Sequence, residues 1–228
     1  MNPKIHRRIL AIDVGGSHVK TRVSGRREMR QFDSGPHLTP RRMVKLVHEL
    51  TGEWKYDAVS IGYPGMVLHG KIIAEPHNLG SGWVGFDFRK AFGRPTRVMN
   101  DAAMQAIGSY EGGRMLFLGL GTGLGSAMIV DGIVAPMELA HLPFKKGRSY
   151  EYYVGERGLR RLGAKKWRHN VKQMVERLST VLEADYVVIG GGNARKLGRL
   201  PSNARLGNND FAFIGGFRAW RDAHFASK

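Results

Sequence analysis

The chain has 228 residues, 42% of them hydrophobic, and no cysteine. That is enough for one large domain or two small ones, and it rules out disulfides, a thiolate zinc site and thiol catalysis. Lys and Arg number 36 against 19 Asp and Glu, a formal +17 at pH 7, which bears on partners rather than on fold.

No apolar run reaches the roughly 18 residues that span a bilayer. Ile9-Leu-Ala-Ile12 stops at Asp13, too short for a signal-peptide core. A cytoplasmic protein without a membrane partner is therefore expected. The charge suits a polyanion: nucleic acid, an anionic membrane or inorganic polyphosphate; a general basic bias is the plain alternative. Cationic clusters such as Arg41-Arg42, Lys145-Lys146-Gly-Arg148, Lys165-Lys166-Trp-Arg168 and Arg195-Lys196 are spread along the chain. None forms a recognisable nucleic-acid module, so no specific nucleic-acid partner is expected.

In chain order, Arg8 to Asp13 reads as a buried strand, followed by a glycine turn and a second strand, Val19 to Val23. A turn at Ser24–Arg27 leads to a third strand around Met29 to Phe32. This β-meander differs from the strand-then-helix of a Rossmann unit or Walker loop. Thr39-Pro40 starts a helix whose apolar face is Met43, Val44, Leu46, Val47 and Leu50. Ala58 to Ile61 is a strand running into the turn Gly62–Gly65, and Met66–Leu68 with Lys71–Ala74 reads as a short hairpin. The stretch from Glu75 to Trp83 is a polar, glycine-rich loop. Thr96 to Met99 is a strand, and Asn100-Asp101 opens a helix to about Tyr110 that either residue would cap.

The second half repeats the opening. Arg114 to Leu120 and Ser126 to Val130 are strands around the turn Gly121-Thr-Gly123, with a hairpin turn at Asp131-Gly132. An irregular stretch, Met137 to Gly147, precedes a helical region from about Tyr150 to Leu182. Tyr186 to Ile189 is a strand ending in Gly190-Gly-Gly192, and Ile214 to Phe225 reads as a terminal helix. Two halves that begin alike suggest a duplication with a ligand cleft, and domains of 1–112 and 113–228. The terminal helix has the option of packing back on the first.

The chemistry concentrates in two glycine-punctuated turns, Asp13-Val-Gly-Gly-Ser-His-Val-Lys20 and Leu118-Gly-Leu-Gly-Thr-Gly-Leu-Gly-Ser126. Glycine lets backbone N–H groups approach an anion, because no Cβ intervenes and positive φ is cheap. Two such turns with Asn100-Asp101 between them point to a phosphotransferase.

Together with Val188-Ile-Gly-Gly-Gly192, and in this order, these motifs resemble the ROK-type sugar kinases, within which the chain looks most like polyphosphate glucokinases. The resemblance implies an α/β, actin-like (ribonuclease H-like) two-domain fold with a central cleft. It implies transfer of a phosphoryl group to the 6-hydroxyl of glucose from polyphosphate, with an ATP-dependent hexokinase as the alternative, and a homodimer. Asp101 becomes the general base, with Asn100 beside it on the sugar. Asp13, Gly15, Gly16, Ser17 and Lys20 form the first phosphate hairpin, with Asp13 near Mg2+ through water. Gly121, Thr122 and Gly123 form the second, and Gly190, Gly191 and Gly192 lie on the nucleotide side. Asn78, Glu138, His141 and Glu151 are the further sugar ligands. Ala140 stands where the family usually has Gly. The zinc-binding cysteines of many ROK proteins are missing, so no zinc is expected, and the segment after Gly192 is short.

Each residue also has a plainer role. Asp101 caps a helix, Asp13 ends a strand, and a lone histidine is more often structural. Trp83 and Trp167 suit packing better than stacking on a ligand. A sugar- or polyanion-binding protein without turnover is the reading of another class.

Overall fold

The computed structural model describes residues 7–208, 210–222 and 225. The chain forms two units. One runs up to Met104 and takes in the segment from Ala212 onward, and the other is Gln105–Phe211.

The first unit begins with β1 (Ile9–Val14), β2 (His18–Val23) and β3 (Arg30–Asp33), the expected meander. Helix α1 (Pro40–Thr51) follows, its first turn capped by the Thr39 hydroxyl, which accepts the Arg42 N–H at 3.3 Å. Its buried face is Pro40, Met43, Val44, Val47 and Thr51. Then come β4 (Ala58–Tyr63), the small hairpin β5 (Val67–Leu68) and β6 (Lys71–Ile72), a short helix α2 (Phe88–Phe92) and β7 (Thr96–Asn100). Helix α3 (Asp101–Ser109) starts directly on β7. The strand order is β3-β2-β1-β4-β7, antiparallel through β1 and parallel from β1 to β7. Every residue of β4 is buried, Ser60 included, as suits a strand with parallel neighbours on both sides.

The second unit repeats this plan. Strands β8 (Arg114–Leu120), β9 (Leu124–Val130) and β10 (Ile133–Met137) form a meander. The hairpin β11 (Pro143–Lys145) and β12 (Arg148–Ser149) follows, then α4 (Tyr150–Val154) and α5 (Glu156–Val181). The long helical region expected over Tyr150–Leu182 is therefore interrupted. Gly155 is extended between α4 and α5, and Gly163, at φ +74°, breaks α5 internally. Strands β13 (Tyr186–Gly190) and β14 (Ala204–Leu206) complete a sheet of order β10-β9-β8-β13-β14, with β8, β13 and β14 parallel. Each unit thus joins a three-stranded meander to two parallel strands around its own apolar core.

Three of the hairpin turns use one device. His69-Gly70, Asp131-Gly132 and Lys146-Gly147 all pair a positive-φ residue with a positive-φ glycine, the conformation whose twist matches flanking strands.

The last helix, α6 (Phe211–Arg221), docks on the first sheet. Gly216 makes the approach possible, since a Cβ there would lie 2.8 Å from the Ala11 Cβ. The buried Ser60 hydroxyl donates to the Gly216 carbonyl at 2.6 Å and accepts the Trp220 indole N–H at 2.9 Å. Ser60→Ala leaves the Trp220 indole N–H without its acceptor and takes one of two donors from the Gly216 carbonyl, which keeps its bond within α6; it is expected to cost about 1–2 kcal/mol, read as a shift of the denaturant midpoint with unchanged slope. The expected end of this helix falls on Ala223 and His224, which lie outside the described residues.

Candidate functional site

In the first unit Asp13, the Gly15–Ser17 turn and Asn100-Asp101 lie at the carboxyl ends of β1 and β7, where open α/β sheets place their ligands. Strand register sets Asp13 of β1 beside Gly62 of β4, and Tyr63 of β4 beside Asn100 of β7. Gly62 is the spacer: a Cβ there would lie 2.5 Å from the Met104 Cε and 3.4 Å from the Asp101 Cα. Asp13 and the Asp101 backbone therefore flank one narrow position, Gly62, on the strand between theirs.

The cap of α3 belongs to Asn100, whose Oδ1 accepts the Ala103 N–H at 3.0 Å while its Nδ2 donates to the Gly65 carbonyl at 3.1 Å. Asp101 is the first helical residue, and its Oδ1 accepts the Ala102 N–H at 2.8 Å. The aspartate is thus not needed as the cap, and its carboxylate sits at the positive end of the helix.

Asp13 is half-buried opposite Lys20 on β2. Desolvation raises its pKa above the ordinary carboxylate value, and the Lys20 charge partly opposes this. The ionised carboxylate is therefore a cost to the fold, absent below the unfolded pKa and fully present above the raised folded pKa. Asp13→Asn is expected to melt higher than wild type at pH 7 and to lose the stability decline between those two pKa values, measured by thermal unfolding from acid to neutral pH.

The first turn is closed by its own backbone and by Ser34. The Gly15 N–H donates to His18 O at 2.9 Å, the Ser34 hydroxyl donates to Gly15 O at 2.7 Å, and the Ser34 N–H donates to Ser17 O at 3.0 Å. Gly16 and Ser17 are exposed at its tip. The loop that bears exposed Asn78 is held by Glu75, whose two carboxylate oxygens accept the Trp83 and Val84 N–H groups, each at 3.1 Å. Trp83 is fully buried against Tyr63 and Phe88, a core residue.

In the second unit the two glycine segments are neighbours. Asn193, just after Gly190–Gly192, donates its N–H to Leu120 O at 2.9 Å and its Nδ2 to Gly121 O at 3.2 Å. The same Nδ2 lies 2.6 Å from Glu156 Oε2, and the Glu156 N–H donates to Thr122 O at 3.2 Å. The Asn193 hydrogen bond, then that of Arg160, lowers the Glu156 pKa. Gly191 has φ +84°, and a Cβ there would strike the Leu120 carbonyl. Gly190 faces the Phe117 ring, which a Cβ would approach to 2.6 Å.

The positive φ expected of the phosphate turns is used at Gly191 alone. Gly15, Gly16, Gly121 and Gly123 are not among the positive-φ residues. At Gly123 the requirement is space, because a Cβ would collide with the Glu151 carboxylate. Glu151 Oε2 accepts the Leu124 N–H at 3.2 Å, so this residue closes the second turn. Glu138 and His141 stand at the ends of one 3₁₀ turn, their Oε2 and Nε2 3.9 Å apart and both exposed. The β11–β12 hairpin beyond them is pinned by Lys145, whose ammonium donates to Asn170 Oδ1 at 2.7 Å and Gln173 Oε1 at 2.5 Å. Trp167 is buried and donates its indole N–H to Val154 O.

Gly62, Asn193 and Glu156 are the residues that sequence reasoning did not single out. Gly62 reads as part of a turn, and only strand register shows it as a spacer. Asn193 continues the Gly190–Gly192 string, which was the one available signal.

Two sheets of identical order, each with a glycine turn between its first two strands and, in the first, Asp13 and Asp101 at strand ends, define an actin-like α/β protein. The chain belongs to the ROK family, whose model matches residues 9–136. It is 26% identical over 217 residues to a polyphosphate glucokinase of Mycobacterium tuberculosis, spanning 81% of this chain and 77% of that protein. The crystal structure of inorganic polyphosphate/ATP-glucomannokinase from Arthrobacter sp. strain KM aligns with a TM-score of 0.80 at 22% identity, covering 92% of this chain and 97% of that one. A ROK family glucokinase from Streptomyces griseus, solved with glucose and AMPPNP, aligns at a TM-score of 0.73 and 14% identity, covering 95% and 100%.

Proposed function

We propose that this protein is a sugar kinase that transfers a phosphoryl group from inorganic polyphosphate to the 6-hydroxyl of glucose. The observation that carries the reading is Asp101, held at the start of α3 by strand register while Asn100 takes the capping role. A protein that only binds sugar needs no general base. Similarity to polyphosphate glucokinases and the charge of +17 support the polymer as donor.

Phosphoryl transfer needs positioning and neutralisation of charge more than covalent chemistry. Asp101 accepts the proton of the attacking hydroxyl as the oxygen–phosphorus bond forms. The phosphoryl group leaves the donor, which departs one phosphate shorter. Asn100, Asn78, Glu138, His141 and Glu151 are the proposed sugar ligands. Backbone N–H groups of the turns at Gly15–Ser17 and Gly121–Gly123 stabilise the transferred phosphate, with Lys20 adding positive charge. Gly190–Gly192 holds the adjoining part of the donor.

Asp13 fits Mg2+, which commonly takes one or two carboxylates with phosphates and water. When bound, Mg2+ neutralises phosphate charge. We place the enzyme in the cytoplasm and expect a homodimer.

The donor is tested by offering polyphosphate and ATP, separately and together, with glucose and Mg2+. Faster glucose 6-phosphate formation from polyphosphate supports this reading. Turnover with ATP alone assigns the chain to the ATP-dependent ROK kinases and makes its charge incidental.

A further inference from the structure

The cations of the second unit are not evenly placed. Residues 157–172 hold Arg157, Arg160, Arg161, Lys165, Lys166, Arg168 and Lys172 without one acidic residue, and all seven are exposed. The segment after the glycine motif adds Arg195, Lys196 and Arg199, also exposed. Two contacts tie this surface to the phosphate turns. Asn193 fixes the 3₁₀ turn Ala194–Lys196 to Leu120 and Gly121, and the Arg168 Nε donates to the Lys196 carbonyl at 2.5 Å. Beyond that contact, a cavity of about 160 Å³ opens between α5 and residues 197–201, with Arg168, Lys172 and Arg199 among its lining residues. Arg160 pairs with Glu156 at 3.1 Å and Lys172 with Glu176 at 3.7 Å, while Arg168 and Arg199 make no ion pair among the described residues.

We propose that this strip, running from Arg195 and Lys196 past Arg168 to Lys172 and Arg199, carries the distal phosphates of a long-chain polyphosphate donor. The proposal rests on the kinase reading above and names where the polymer lies once its terminal phosphate is at the glycine turns. A linear polyanion gains affinity from every cation it meets along its length, by release of condensed counterions. A three-phosphate donor ends before the far cations. The strip therefore distinguishes donors by length and leaves the chemical step untouched.

The test compares wild type with Lys172→Gln/Arg199→Gln, which removes two rim charges and keeps the Arg168–Lys196 contact. Long-chain polyphosphate, tripolyphosphate and ATP are each titrated by calorimetry and used as donors with glucose across a salt series. For long-chain polyphosphate, KM and Kd are expected to rise at low salt. The slope of log Kd against log salt should fall by about 1.4, taking about 0.7 per phosphate contact as for single-stranded nucleic acid. KM for tripolyphosphate should stay at the wild-type value. An unchanged slope overturns the strip, and so does an equal loss for all three donors, which would make the cavity a general donor pocket. The titration needs no turnover. Absence of sugar phosphate from wild type would defeat the kinase reading alone, whereas equal slopes in active enzymes would defeat the strip alone.

Discussion

Asp101→Asn is expected to lower the rate of sugar phosphorylation by about 10²- to 10⁴-fold, the range usual for loss of a general base, with little change in melting temperature. The two halves of that expectation have separate origins. Stability is retained because the asparagine side-chain oxygen still accepts the Ala102 N–H, and because Asn100 supplies the cap to Ala103. Turnover falls because an amide cannot take the proton of the attacking hydroxyl. Steady-state kinetics and thermal unfolding on the same preparation separate the two. A variant with near-normal kcat would remove the carboxylate from the mechanism and leave Asp101 as a structural first-turn residue.

Gly191→Ala is expected to be the most damaging of the glycine substitutions. Alanine at φ +84° is strained by about 1–3 kcal/mol. Its Cβ would also meet the Leu120 carbonyl, with the Leu120 backbone nitrogen 2.7 Å away. These are backbone atoms at the end of β8 and cannot rotate aside, so overpacking adds about 1–3 kcal/mol more. Any relaxation moves the Gly190–Gly192 turn off the Gly121–Gly123 turn, so, with the roles proposed for them, KM for the donor should rise even where the variant stays folded. Gly192→Ala is the control. No atom lies within 4 Å of a Cβ at Gly192 and its φ is not positive, so its stability should match wild type. Equal midpoints for the two variants in urea would contradict the packing described here.

The opening meander, α1 and the buried strands were legible because their apolar runs and periodicity are local properties. Ala58–Ile61 could scarcely be anything but a strand, and it lies within fully buried β4. The doubled architecture was visible for the same reason, since each half starts with a strand, a glycine turn and a strand. Helix α2 was not, because five residues in a glycine-rich region carry too little pattern. The break at Gly163 was hidden by helical composition on both sides, and β14 is three residues at a sheet edge.

The site divides along the same line. Asp13, Asn100-Asp101 and the glycine turns stand out as motifs in the chain. What joins them does not, because it depends on contacts far apart in sequence. Asn193 reaches Gly121 across 72 residues and Glu156 across 37. Glu151 was legible as a polar candidate, but its hydrogen bond to Leu124, 27 residues away, shows only in three dimensions. Glycine stands out in these turns from the chain alone, yet at Gly123 and Gly62 what requires it is the space a Cβ would fill, not a backbone angle, and at Gly121 neither applies.

The most direct test is to mix the purified protein with glucose, Mg2+ and inorganic polyphosphate and to identify the sugar product by 31P NMR. The account predicts glucose 6-phosphate, dependent on both sugar and polymer and lost in Asp101→Asn. Binding of glucose or polyphosphate without phosphorylated sugar from either polyphosphate or ATP would contradict it, and would make the chain a binding protein on a kinase fold.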